Sequence, residues 1–165
     1  MRKGQIQGQV FIYILTLIIT AGILLYGYNA IKGLNENAEQ VEFIQFKDDL
    51  EKDFKTISSD YGSVKTKTYS VPSKVKEICF YQICNAPECP PLSLPEDINP
   101  WIADSINDET GNNVFLVMGN AIEPMKLSKI RMDDDDIPLL CIPISSSRLK
   151  LRLEGLGDGV LVKKA

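Results

Sequence analysis

The stretch that decides the fold is residues 10–31, VFIYILTLIITAGILLYGYNAI. It contains no charged residue, and its clearly polar members are Thr16, Thr20 and Asn29. As an α-helix this stretch extends about 33 Å, enough to cross a bilayer core of about 30 Å. A single segment inside a membrane satisfies its backbone polar groups only as a helix. The stretch therefore predicts a membrane-spanning helix followed by a water-soluble domain.

Charge is distributed unevenly along the chain. The formal charge is −4, but Arg2, Lys3 and Lys32 precede position 33, and all 22 acidic residues follow it. Residues 33–165 thus hold 15 basic and 22 acidic side chains, a net −7. Such a domain repels phosphate backbones, so we expect no nucleic-acid partner. Because basic flanking residues stay in the cytoplasm, we expect a cytoplasmic N-terminus and an external domain.

The four cysteines, Cys79, Cys84, Cys89 and Cys141, fit two disulfides in a domain placed outside the cytoplasm. Three pairings are possible. We favour Cys84–Cys89, which closes a tight loop, together with Cys79–Cys141, which joins two strands. The cysteine spacing lacks the close pairs of zinc sites and the chain has no histidine, so we expect no metal.

A short basic leader, Arg2-Lys3-Gly4, is followed by Gln5 and a few polar residues before the apolar stretch. This arrangement resembles the class III signal peptide of type IV pilin-like proteins, most closely the archaeal form. The resemblance implies that a membrane-bound prepilin peptidase cuts between Gly4 and Gln5, on the cytoplasmic side. The apolar helix is then retained and packs with others in a filament core. A second Gly-Gln step, at residues 8–9, is an alternative cut, but no basic residue immediately precedes it.

Three positions in the apolar stretch bear on assembly. Many pilins carry glutamate at the fifth mature position, and the resemblance implies that this residue pairs with a neighbouring subunit's amino terminus. That position here is Gln9, which can hydrogen-bond but carries no charge. Gly22 and Gly27 would let helix backbones approach closely, although their spacing of five is one longer than the usual step.

The segment 36–58 predicts an amphipathic helix that covers a sheet. Its apolar residues recur near the helical period: Val41, Ile44, Phe46, Leu50, Phe54 and Ile57. No proline interrupts Gln5–Ser58. If Gly33 only bends the chain, the two helical segments form one helix of 54 residues, about 81 Å long. A helix that is apolar and then amphipathic is also the form of a pilin stalk.

Period-two patterns predict strands at 64–70, 75–83, 114–118, 126–132, 139–144, 148–153 and 160–162, the last five as an antiparallel meander. Residues 85–101 read as a proline-rich loop, with Trp101 packed onto the domain. Residues 155–159 read as a glycine-rich hairpin loop. The aspartate run 133–136 lacks the alternating spacing of a calcium loop and reads as a solvated hairpin tip.

The predicted organisation is a leader at 1–4, an apolar helix at 5–35, and an external α+β head at 36–165. In this fold the long N-terminal helix packs on an antiparallel sheet. Without histidine or an activated nucleophile, we expect no enzyme and no cofactor. The leading hypothesis is a pilin-like surface protein, with the membrane, other pilin-like subunits and a prepilin peptidase as partners. The alternative is a monomeric membrane-anchored binding or sensing domain.

Overall fold

A computed structural model describes residues 5–83, 98–108, 110–133 and 138–165; side chains are described from residue 8 onward, except at 33–37. The first element is one α-helix, α1, which runs over Gln5–Ser58. These are the bounds predicted from the two helical patterns and the absence of proline. The chain divides into two compact units, Met1–Glu42 and Phe43–Ala165, and the second unit is called the head below.

Within the described residues, the head contains eight strands and a second helix. In chain order they are β1 Val64–Ser70, β2 Glu77–Tyr81, α2 Pro100–Asn107, β3 Val114–Met118, β4 Ala121–Met125, β5 Ile130–Met132, β6 Leu139–Pro143, β7 Arg148–Gly155 and β8 Val160–Lys164. The fold is therefore α+β, as predicted. Strands β1 and β3 have the predicted bounds.

The strands form two four-stranded sheets. Sheet A has the order β1-β7-β8-β5, and sheet B has the order β4-β3-β2-β6. All pairs are antiparallel except β5 with β8, which are parallel. The expectation of a simple meander is wrong, because β3 and β6 lie in sheet B, whereas β5, β7 and β8 lie in sheet A. In addition, β5 and β8 pair in parallel. The predicted hairpin at 155–159 is confirmed, since it joins the paired strands β7 and β8.

The main core lies between the α1 stripe and one face of each sheet. The stripe consists of Phe46, Leu50, Phe54 and Ile57, all of them buried. Alternate residues of β7, namely Leu149, Leu151 and Leu153, bury their side chains in the same core, as the period-two pattern of that strand requires. The rings of Phe54 and Phe80 stack with their centroids 6.0 Å apart. The helix thus covers sheet strands, as predicted.

Two members of the predicted apolar stripe lie outside the core. Ile44 is 57% exposed and Val41 is 52% exposed. The step of two residues from Ile44 to Phe46 turns the helix by about 200°, so both residues cannot share one face. Phe43 is the half-buried residue that extends the stripe.

A second, smaller cluster covers the other face of sheet B. Helix α2 buries Ile102 and Ile106 against Cys79, Phe115 and Leu139. The prediction of a loop through position 101 missed this helix. Asn99 caps it by accepting a hydrogen bond from the backbone N–H of Trp101 at 3.1 Å. The Trp101 side chain is 71% exposed, so the expectation that it packs onto the domain is wrong.

One other predicted feature differs from the structure. Of the strand expected at 126–132, only β5 at Ile130–Met132 forms, and residues 126–129 connect it to β4 with Asn113 beside this connection. Asn113 is buried, donates to the carbonyl oxygen of Ser128 at 3.0 Å, and accepts from the backbone N–H of Leu127 at 2.7 Å. Of the aspartate run, only Asp133 lies within the described residues, and it forms an ion pair with Lys163.

Candidate functional site: the apolar helix and the disulfide face

The segment Gly8–Lys32 of α1 is long and apolar enough to cross a membrane. None of its most apolar window is buried within the described structure. Its large exposed apolar side chains are those of Val10, Phe11, Ile12, Tyr13, Ile14, Leu15, Leu17, Ile18, Ile19, Ile23, Leu24, Leu25, Tyr26, Tyr28 and Ile31. An apolar surface this extensive marks a membrane or protein interaction surface.

The polar side chains in this segment bond within the helix itself. The Thr16 hydroxyl donates to the carbonyl oxygen of Tyr13 at 2.9 Å, and the Thr20 hydroxyl donates to that of Thr16 at 2.8 Å. The Gln9 amide nitrogen donates to the Tyr13 hydroxyl oxygen at 3.1 Å. Both threonine hydroxyls therefore have a partner without leaving the helix, which lowers the cost of placing them in hydrocarbon.

The predicted processing residues lie at the edge of the described chain. Arg2, Lys3 and Gly4 fall outside the described residues, and Gln5 is the first residue of α1. Cleavage after Gly4 thus remains a prediction.

The three predicted assembly residues do not share one face of the helix. A Cβ atom added at Gly22 or at Gly27 would meet nothing within 4 Å, so both glycines leave space at the helix surface. A separation of five residues turns the helix by about 140°, which places the two glycines on different sides. Gln9 lies on the side of Gly27, since eighteen residues complete about five whole turns. Only one of the two glycines can therefore contact the same neighbouring helix as Gln9.

In the head, the disulfide joins Cys79 of β2 to Cys141 of β6. The two residues are direct partners across the antiparallel pair, as predicted for a bridge between two strands. Cys79 is fully buried beneath α2, and Cys141 packs against the same cluster. Cys84 and Cys89, predicted to form the second bridge, lie outside the described residues.

A cavity of about 250 Å³ opens beside this disulfide. Its lining includes Glu77, Asn99, Ile102 and Leu139 as well as both bridged cysteines. The Glu77 carboxylate and the two sulfurs lie within 4.8 Å of one another. Cysteine binds a metal as a thiolate, and sulfurs joined in a disulfide supply none, so these three residues form no metal site while the bridge is closed.

One group of polar contacts in the head joins α1 to sheet A. Asp53 accepts from the Lys67 ammonium and from the Tyr69 hydroxyl, each at 3.0 Å. Burial, reinforced by the charge of Asp53, raises the pKa of Tyr69 well above its ordinary value. The arrangement fixes the helix on the sheet and offers no reacting group, because the neutral phenol and the paired carboxylate both have partners.

The β7–β8 hairpin loop carries a second ionic group. Asp158 lies 3.2 Å from Lys129 and 3.8 Å from Arg131. The hydrogen bond from Lys129 lowers the pKa of the Asp158 carboxyl. All three side chains are largely exposed, so solvent screens this pairing and its contribution to stability is small.

Sequence reasoning missed three residues that share a side of the apolar helix with Gln9 and Gly27, namely Tyr13, Thr16 and Thr20. The signal was present in their spacing, because steps of three and four return to the same side of a helix. Comparisons of the chain with protein-family models, with curated protein sequences and with solved structures gave no match.

Proposed function

We propose that this protein is a pilin-like surface protein, inserted in the membrane through Gly8–Lys32 and able to join a type IV pilus-like filament as a minor subunit. The head faces the outside, and a prepilin peptidase removes residues 1–4. The observation that carries the proposal is the continuous helix Gln5–Ser58, whose first part exposes apolar residues on nearly every side and whose second part packs in the head.

The continuity of α1 argues against a cleaved secretory signal. A secretory signal is cut at its far end, in a small-residue motif that follows the apolar core. Here the chain continues through that region as helix into the head. An enzyme that instead cuts before the apolar segment, as the resemblance implies between Gly4 and Gln5, leaves this helix whole.

Processing is tested on protein purified from its native membrane. Mass spectrometry of the N-terminal peptide should find a chain that begins at Gln5 and has a net charge of −6, because the leader removes two cations from the −4 of the full sequence. Gly4→Val should block the cut by adding a branched side chain at the cleavage position. An intact Met1 in the native protein, with the peptidase present, would falsify the pilin-like assignment.

Filament entry is tested by shearing cells and blotting the membrane and sheared fractions with an antibody to the head. The native chain should appear in the sheared fraction in small amounts. Gln9→Glu should raise this amount, because a carboxylate pairs with a new amino terminus about twice as strongly as a neutral amide does. The matched control is Gln7→Glu, two residues away on another side of the helix, which should leave the amount unchanged.

Two observations favour the alternative of a monomeric anchored binding domain. Gln9 lacks the charge that the resemblance implies for assembly, and the cavity beside the disulfide could take a small ligand. If the native chain and Gln9→Glu both remain wholly with the membrane after shearing, this alternative is the better account.

A further inference from the structure

One narrow side of the apolar helix differs chemically from the rest. At 100° per residue, Gln9, Tyr13, Thr16, Thr20 and Gly27 fall within about 60° of one another around the axis. Between residues 9 and 27, no aliphatic side chain falls in that sector. These five residues are called the polar seam.

The seam follows the spacing of a helix–helix contact. Its steps are four, three, four and seven residues, or eighteen residues in about five helical turns, which is the α-helical period and keeps these side chains on one side of the helix. In lipid, helix association depends on close packing and on hydrogen bonds, because the aliphatic remainder of each helix is equally well solvated by lipid tails. A side with threonines, glycine and a glutamine amide is therefore the side that gains most from facing protein.

Hydrogen bonding at the start of the seam is incomplete. The Tyr13 hydroxyl oxygen accepts from Gln9, and within the described residues its own proton has no acceptor. The carbonyl oxygen of the Gln9 side chain likewise accepts no bond within the described chain. One residue thus retains a free donor and the other a free acceptor, one helical turn apart.

A second copy of the same helix supplies the missing partners. Because basic flanking residues remain in the cytoplasm, all copies insert in the same direction. Their helices are then parallel, and equivalent residues lie at the same depth in the membrane. In a parallel pair the Tyr13 hydroxyl donates to the partner's Gln9, and the reciprocal bond forms by symmetry, as in any two-fold contact. Thr16, Thr20 and Gly27 then allow close approach further along the pair.

We infer that the polar seam is the contact surface of a parallel homodimer in the membrane. The inference rests on the proposed membrane insertion, but it does not require entry into a filament. It also separates the two glycines, since Gly27 belongs to the contact and Gly22, about 140° away, faces lipid.

Cysteine cross-linking tests which side is in contact. Thr16→Cys places a thiol on the seam, and Ile18→Cys places one about 160° away at nearly the same depth. Full-length protein in native membranes is oxidised and run on non-reducing gels, with the native chain as the control for head cysteines. A covalent dimer from Thr16→Cys only is expected. Equal cross-linking from both variants, or none from Thr16→Cys, would show that the polar seam is not the contact surface of a homodimer.

A second measurement uses the two glycines as a matched pair. Gly27→Leu should lower the dimer fraction, followed by energy transfer between labelled full-length chains in lipid vesicles, by about fivefold. Gly22→Leu should change it less than about twofold, because the same side chain is added on the lipid side. Equal effects of both substitutions would contradict the inference.

The outcomes distinguish the dimer from the proposed function. Sheared filaments that contain the protein while Thr16→Cys gives no dimer would overturn the homodimer and leave the pilin-like function standing. A face-specific dimer in a chain that keeps Met1 and never leaves the membrane would support the seam and reject the pilin-like function.

Discussion

The two parts of α1 differ in the pattern of their apolar residues and in how far those residues are buried. In Gly8–Lys32 the apolar side chains surround most of the helix and all are exposed. In Phe43–Ser58, apart from the exposed Ile44, they form one stripe that packs in the head. A stripe can be covered by one sheet face, but a helix that is apolar on nearly every side cannot. The comparison shows that the arrangement of apolar residues around the axis, more than their number, decides where each part of this helix is stable.

The largest test of this comparison removes a buried member of the stripe. Phe54→Ala should lower the free energy of unfolding of the head by about 3–5 kcal/mol, because it empties a fully buried site stacked on Phe80. Urea unfolding of the full chain in detergent, followed by near-ultraviolet circular dichroism, measures the loss. Ile44→Ala, on the exposed side of the same helix, should cost less than about 0.5 kcal/mol. A similar decrease in the free energy of unfolding for both variants would show that burial does not distinguish the two positions.

The disulfide should stabilise the head and leave the apolar segment unaffected. Replacing both cysteines, Cys79→Ala with Cys141→Ala, should lower the free energy of unfolding by about 2–4 kcal/mol, because the bridge spans 62 residues of the unfolded chain. Hydrogen exchange read by mass spectrometry should show faster exchange in β2 and β6 and unchanged protection in Gly8–Lys32. Equal loss of protection in both units would show that they unfold together.

Gly155 in the head is closely packed, whereas Gly22 in the apolar segment has open space around it. A Cβ atom added at Gly155 would collide with the carbonyl oxygens of Ile57 and Asp60, where α1 ends against β7. Gly155→Ala should therefore cost about 1–3 kcal/mol. Gly22→Ala meets nothing within 4 Å and should cause no loss. Thermal unfolding of the two variants in parallel measures the difference, and an unchanged midpoint for Gly155→Ala would contradict this close packing.

The smallest effect concerns the join between α1 and sheet A. Tyr69→Phe removes the hydrogen bond to Asp53 and should cost about 1 kcal/mol at neutral pH. Because burial raises the pKa of Tyr69 above its ordinary value of 10.0, the neutral phenol stabilises the folded head at low pH. That contribution is complete below about pH 10 and is lost as the pH rises further.

The alkaline part of the test compares the slopes of stability against pH. The native head should lose stability above pH 10 more steeply than Tyr69→Phe does, since the variant has no phenol to ionise. Lys67 and the carboxylates Asp49 and Asp53 face the same site and are common to both proteins. Parallel slopes in the two proteins would show that Tyr69 does not cause the alkaline loss.

Local patterns predicted the elements with strong periodicity. The helix Gln5–Ser58 and strand β1 have their predicted bounds, because long apolar or alternating runs leave few other conformations. Strand β4 was missed since it is an edge strand that contains Pro124, and proline breaks the usual strand pattern. Helix α2 has only eight residues, too few to establish a helical period beside a proline-rich segment.

Strand pairing could not be predicted from local patterns. Which residues share one side of the apolar helix follows from angular positions around the axis. Nothing in the sequence of β5 or β8 specifies that they pair in parallel, because that pairing joins segments separated by two other strands. What Gly22 and Gly27 can contact depends on their direction around the helix axis and not only on their separation along the chain. Tyr13, Thr16 and Thr20 were accessible to the same angular reasoning.

The order of strands in sheet A has a consequence for biosynthesis. Strand β8 lies between β7 and β5, so the sheet is interrupted until Val160–Lys164 has left the ribosome. The apolar stripe of α1 is synthesised before every strand that covers it, and the leucines of β7 that pack in the same core are made late. A nascent chain stalled before β7 therefore exposes an uncovered core to chaperones and proteases while its apolar segment is already available for insertion. Errors in the last two strands should accordingly be cleared by proteolysis and seldom appear as a folded but altered protein.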